Sequence, residues 1–321
     1  MLQFKYRYIL ILGLLLVLLI NIFIKNSQNC LSFLPYGISE NNYVTLISNQ
    51  SFCIENTDII KFQTNEKGAR ILKNQNSKKN LKIFGDSQAV GLEVNNANEY
   101  FLTKQFSNTN FEIYAAPNNG PYESLNRIEY INFKVDELIV FNFNLSVDLY
   151  RLDHYWDPED FVSLTENNLK IIHKYPFLNE IFIFYSLIFN NNFTVNRNNT
   201  IEMQEIFIKK DLNALKNHFI DFFDDFSYLL DEKDIKALVI FSTPYWLYSH
   251  TDSNNLEISN NILLDKFQNL EEILMNINNE IQYKNIKFAK TIYSKNLDLK
   301  DLTNDKRHIR HANLKNIKAF N

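Results

Sequence analysis

The sequence predicts an α/β fold: a mainly parallel sheet with helices on both faces, preceded by one N-terminal transmembrane helix. Three observations predict it. From residue 80 onward, short apolar runs alternate with longer helical patterns, the signature of strands joined by helical crossovers. Before that region stands a long apolar run. The chain has only six glycines in 321 residues, and two of them, Gly85 and Gly91, flank a single strand-to-helix junction, KIFGDSQAVGLEV.

The apolar run is ILILGLLLVLLINIFI, residues 9–24, with Asn21 its only polar residue. A helix of about 17–25 residues crosses a bilayer, so residues 8–25 read as an anchor. Lys5 and Arg7 precede it and Lys25 follows. The positive-inside rule then leaves residues 1–7 as a cytoplasmic tip and puts everything after the anchor outside, in the periplasm or another extracytoplasmic space. A cleaved signal peptide is the competing reading. The run is long for one, and KNSQNCLS after it offers no small-x-small cleavage site.

Residues 26–79 are polar and weakly patterned and read as a stalk or lead-in. They hold both cysteines, Cys30 and Cys53. Two nearby cysteines in an oxidising compartment suggest a disulfide, with two unpaired thiols as the alternative. The net charge is −4, which gives no pull toward nucleic acid. Asparagine is abundant (NNANEY, FNNNFTVNRNNT), which weakens any reading of N-x-S/T triplets as glycosylation sites.

Residues 80–321 carry the α/β pattern. NLKIFG (80–85), FEIYAAP (111–117), ELIVFNF (137–143), KALVIFSTP (236–244) and NIKFAKTIY (285–293) are the strand candidates, and IFIFYSLIF (181–189) reads equally as strand or buried helix. The stretch 121–134 opens with proline, a good first helical residue. DPEDF at 157–161 is a helix start with an aspartate cap and acids in the first turn. Residues 202–232 and 255–282 have long helical periodicity. The interval 145–235 exceeds one crossover and reads as holding an insertion.

In parallel sheets ligands bind beyond the carboxyl ends of the strands. Four places there carry chemistry. Ser87 follows the first strand and opens a helix, whose N–H groups favour an adjacent oxyanion; an N-cap serine in an ordinary turn is the plain alternative. Gly120, in APNNGPY after the second strand, can bring a backbone N–H close to a ligand, or simply turn the chain. Asn142 and Asn144 end the third strand, where a side-chain amide can donate. Near the C-terminus, NDKRHIRHANLKNI holds Asp305 three residues before His308. An aspartate there can hold the tautomer of an imidazole that accepts a serine proton. A metal site from Asp305, His308 and His311 is a weaker reading, because it lacks a further clear ligand.

Taken in order, Gly-Asp-Ser, a glycine, an asparagine and D-x-x-H resemble the SGNH (GDSL-type) hydrolase superfamily, across roughly residues 80–321. The resemblance implies a flavodoxin-like three-layer sandwich. It implies Ser87 as nucleophile, His308 as general base and Asp305 as its orienting partner. The oxyanion hole would be the Ser87 N–H, the Gly120 N–H and the Asn144 side chain. The sequence departs from the family pattern in several places. Gln88 replaces the usual leucine. The third block, normally Gly-x-Asn-Asp, reads Asn142-Phe143-Asn144-Leu145, which leaves Asn142 as the alternative donor. The usual proline after the catalytic histidine is missing, and His311 stands nearby as an alternative base. Asp86 is expected to bond backbone in the neighbouring turn rather than to transfer protons.

The implied chemistry is acyl transfer through serine, needing no metal or organic cofactor. Water as acceptor gives an esterase and a sugar hydroxyl gives an O-acyltransferase; both stay open. An outward-facing tethered enzyme would meet acylated cell-envelope glycans or other small esters. Tyr245 and Trp246, in STPYWLYSH, have faces suited to sugar rings, although ordinary packing explains aromatics in a chain with 14% of them. A non-catalytic relative, serving as scaffold or glycan-binding component in envelope polysaccharide assembly, is the alternative function. No long apolar lid helix favours a lipase.

Overall fold

The structure, a computed structural model, describes residues 13, 15, 19, 36–38, 44–46, 48–55, 59–74, 77–116, 119–145, 148–150, 152, 209–242, 260–292 and 310–320. Among the described residues no helix is long and apolar enough to cross a membrane. Most of the expected anchor lies outside them; of it, Gly13, Leu15 and Leu19 are helical and exposed.

Eleven strands are described. β1 (Tyr36–Ile38) and β2 (Val44–Leu46) form one antiparallel pair, and β3 (Ser51–Glu55) and β4 (Ile59–Gln63) form another. β5 (Arg70–Leu72), β6 (Lys79–Gly85), β7 (Thr109–Ala115), β8 (Glu137–Asn144), β9 (Ile235–Ser242), β10 (Ile286–Thr291) and β11 (Ile317–Ala319) build one sheet in the order β11-β10-β9-β8-β6-β7-β5. The five central strands are all parallel, and β5 and β11 close the two edges antiparallel. Numbered among themselves, the parallel strands run 2-1-3-4-5. The direction of winding therefore reverses between β6 and β8, the place where such sheets open a crevice for ligands.

The helices are α1 (Ser87–Val90), α2 (Pro121–Glu129), α3 (Leu212–Glu232), α4 (Asn260–Ile281) and α5 (His311–Leu314). The main core follows from alternation along β8. Phe141 and Phe143 share one face of the strand and meet Phe219, Phe222 and Phe226 of α3, with centroids 5.3 to 6.0 Å apart. Phe241 and Phe288 extend the same aromatic layer through Phe223. Since α3 is a regular crossover helix between β8 and β9, the end of the interval expected to hold an insertion belongs to the frame. Residues 153–208, with DPEDF and IFIFYSLIF, lie outside the described residues.

The lead-in before residue 80 is built into the domain where it is described. β5 pairs with β7 in the main sheet, and Ile60 and Phe62 are buried in the common core. Two buried arginines tie the parts together. Arg127 of α2 donates to Thr45 Oγ1 at 2.6 Å, and Arg70 reaches from β5 to the turn after β6. The domain therefore starts earlier than the boundary expected at residue 80. Cys53, in β3, is disulfide-bonded; the chain's other cysteine, Cys30, lies outside the described residues.

Candidate functional site

Gly85, Ala115 and Asn142 are level across the sheet, because Gly85 pairs with both of the others. The segments that leave β6, β7 and β8 thus start from one edge. Gly85 has φ +148°, and a Cβ there would lie 2.7 Å from the Asn142 carbonyl oxygen. Only glycine allows β6 and β8 to approach so closely and the chain to turn there.

Asp86 caps α1. Its Oδ1 accepts the Gln88 N–H at 2.9 Å, and its Oδ2 accepts the Asn144 side-chain amide at 2.7 Å. One buried carboxylate thus fastens the end of β6 to the end of β8. Asp86 is expected to bond backbone in the neighbouring turn; its backbone partner is instead Gln88 in its own turn, and its link to the neighbouring strand end is through a side-chain amide. Asn144 is held from the other side too, its N–H donating to Asp148 Oδ2 at 2.7 Å. Ser87 sits beside this joint. From Ile83 to Gly91 it alone is not buried. Ser87 is thus the one half-buried residue in an otherwise buried run.

Two expectations are modified. α1 has only four residues, so its dipole is small. Asp86 also takes up the Gln88 N–H through its side chain and the Ala89 N–H through its carbonyl. The Gly120 N–H, expected in the oxyanion hole, donates to Glu123 Oε2 at 3.0 Å. This is the ordinary N-terminal cap of α2, closed from its third residue, and it occupies that donor. Asn142 is fully buried and accepts the Ser242 hydroxyl at 2.7 Å, so of the two asparagines Asn144 is the one joined to the Asp86–Ser87 turn.

The carbonyl end of α1 is held by side chains. A helix of four residues cannot satisfy its own last carbonyls. The Gln88 carbonyl accepts from His311 Nε2 at 2.9 Å, and the Ala89 carbonyl from the Tyr100 hydroxyl at 2.6 Å. Arg70 donates to Val90 O at 2.8 Å and also to Gly91 O and Val94 O. Gly91 ends the helix at φ +71°, where glycine is favoured. Arg70 also lies 3.7 Å from the Phe62 ring centroid. Burial pushes its guanidinium down to about 9, against the upward pull of Tyr100, Glu93 and Glu99; it stays cationic at neutral pH. Burial raises the Tyr100 hydroxyl well above its ordinary 10.0, opposed by Arg70.

His311 is a core residue. Phe101 N–H donates to its Nδ1 at 3.3 Å, which leaves the ring proton on Nε2 for the Gln88 carbonyl. The ring packs on Tyr100 and Phe101, with centroids 4.7 and 5.1 Å away. With both nitrogens engaged by backbone, it is not placed to act as the base. Asp305, His308, Tyr245 and Trp246 lie outside the described residues, and among the described residues no cluster of three His, Cys, Asp or Glu could hold a metal.

The sequence reading did not single out Arg70 or Tyr100. The available signal was indirect: Gly91 ends the helix so soon after Asp86 that its carbonyls need donors from elsewhere. A scan against protein-family models finds no match for this chain, and a comparison with curated proteins finds none either.

Proposed function

We propose that this chain is a membrane-anchored serine esterase or O-acyltransferase of the SGNH type, acting on acylated cell-envelope glycan. The observation that carries the reading is the joint at the switch point. Ser87 is half-exposed between β6 and β8, and Asp86 binds Asn144 across it. The strand order 2-1-3-4-5 supports the finer fold expectation, a flavodoxin-like three-layer sandwich. Exposed apolar Leu15 and Leu19 on a helical segment support the single-pass anchor, with the N-terminus cytoplasmic and the domain outside. The docking of His311 on the Gln88 carbonyl supports pairing of the D-x-x-H motif with Ser87. His308 is three residues earlier in the chain, a span of at most about 11 Å.

In this reading His308, oriented by Asp305, accepts the Ser87 proton as Oγ attacks an ester carbonyl. The oxyanion is met by the Ser87 N–H and the Asn144 side-chain amide, which Asp86 holds beside the turn. The alcohol leaves with the proton from His308, and the acyl-serine passes to water or a sugar hydroxyl. Gly120 joins the hole once Glu123 releases its N–H. Loss of one such donor typically costs about 10²–10³ in rate. Tyr245 and Trp246 are the residues offered for sugar contact.

One observation favours a second reading. With the Gly120 N–H occupied by Glu123, a non-catalytic scaffold or glycan-binding component of polysaccharide assembly would have the same frame. A fluorophosphonate separates the two when applied to the full chain in detergent beside Ser87→Ala. The expected result is labelling of the wild type alone, at Ser87. A folded wild type that is neither labelled nor active on small acetyl esters sinks the catalytic reading and leaves the second.

A further inference from the structure

The inference rests on the catalytic reading above and concerns a residue outside the triad. We infer that His311 is a positioning residue: its ring ties the turn that carries Ser87 to the C-terminal segment that carries Asp305 and His308.

With four residues, α1 is too short to hold its own last carbonyls in place, and Gln88 is one residue beyond Ser87. His311 Nε2 donates to the Gln88 carbonyl at 2.9 Å. The ring cannot turn away freely, because Phe101 N–H donates to Nδ1 and the Tyr100 and Phe101 rings flank it. The backbone of His311 is fixed as well, its N–H donating to Glu93. Glu93 follows α1 closely, so residue 311 grips the nucleophile turn through side chain and main chain together. The Ala89, Val90 and Gly91 carbonyls are held by Tyr100 and Arg70, which come from other parts of the chain. Through Gln88, His311 links the turn that carries Ser87 to the C-terminal segment. His311 is 1% exposed, and its part in the reaction is to set a distance.

The test uses the full chain and the rate constant of fluorophosphonate labelling at Ser87 per titratable site, so that loss of folded protein does not count as loss of rate. His311→Phe keeps the ring packing and removes both ring hydrogen bonds. His311→Gln retains a donor that can reach the Gln88 carbonyl. His311→Phe is expected to slow labelling by roughly tenfold to a hundredfold, the scale of a misplacement of about 1 Å. For acetyl ester turnover the same variant is expected to lower kcat with KM unchanged within about twofold, and His311→Gln to recover most of the rate. Should His311→Phe fail to fold, His311→Asn, too short to reach Gln88, carries the same expectation. A rate per site equal to wild type in His311→Phe overturns the inference and leaves the esterase reading intact. Equal losses in the Phe and Gln variants also overturn it, since the ring hydrogen bond would then not be the device. An unlabelled wild type overturns both.

Discussion

α1 and α3 are opposite solutions to the same problem. α3 runs for 21 residues, closes its own hydrogen bonds, and buries a stripe of Leu215, Phe219, Phe222, Phe223, Phe226 and Leu230 against the sheet. α1 runs for four, and three buried side chains from distant parts of the chain hold its carbonyls. A long helix is stabilised by area. A short one is stabilised by polar partners, and these hold in place the turn that carries its half-buried residue, Ser87. The contrast teaches where stability and precision come from in this molecule: apolar packing supplies the first, buried donors the second.

Substitutions can break that contrast from either side. The largest effect is expected on the side of α1. Arg70→Leu leaves several buried carbonyls without a donor, each worth about 1–3 kcal/mol, partly offset by relief from burying a cation, so a net loss on the order of 4 kcal/mol is expected in denaturant unfolding. Phe222→Ala, on the side of α3, opens a cavity in the aromatic layer and is expected to cost about 3 kcal/mol by the same measurement, with Ser87 labelling of the folded fraction unchanged. If Phe222→Ala slowed labelling per site and Arg70→Leu did not, the division between packing and positioning would be wrong.

A smaller effect is expected from Tyr100→Phe, which removes one donor at about 1.5 kcal/mol. It also has a pH signature. Tyr100 has its folded value raised above 10.0, so its contribution is complete below pH 10 and is lost as pH rises through the folded value. Melting temperatures of the wild type are expected to fall above pH 10, and Tyr100→Phe to flatten part of that fall, with Tyr114, raised to about 12 by burial, supplying another part. An unaltered alkaline limb in the variant would remove Tyr100 from the explanation. The smallest expected effect is on α3 itself. Asp211 caps it through the Asn213 N–H at 2.9 Å, and Asp211→Ala is expected to cost roughly 0.5–1 kcal/mol. A larger loss would mean that α3 depends on its end as α1 does.

The same contrast explains what could be read from the sequence. The five parallel strands were legible because each is a run of apolar residues bounded by polar ones, and α2, α3 and α4 because their apolar positions recur at helical spacing. β5 was not. It is three residues, RIL, too short for any period, and its partner β7 lies far along the chain. Ser87, Asp86 and Asn144 were legible because chemistry at strand ends needs such residue types. The partner of each was not. Nothing local distinguishes Arg70 from a solvated arginine, and Glu123, which takes the Gly120 N–H, reads equally well as a surface acid in a first helical turn. His311 stood out in the sequence as a histidine beside a histidine. Its engaged nitrogens are a fact of three-dimensional packing.

The two antiparallel edges have a consequence for the molecule among its own copies. A parallel sheet that ended in an open strand would offer a row of free donors and acceptors to any neighbouring chain. Here each edge is a strand of only three residues running against the grain, and on β11 both Lys318 and Ala319 are exposed. Such edges are poor templates for further strand addition. Where copies of the chain crowd together, short reversed edges would keep neighbours from joining sheet to sheet. At one of them, β5 does this while holding the turn that carries Ser87 through Arg70, so a change there that favoured self-association would also disturb that turn.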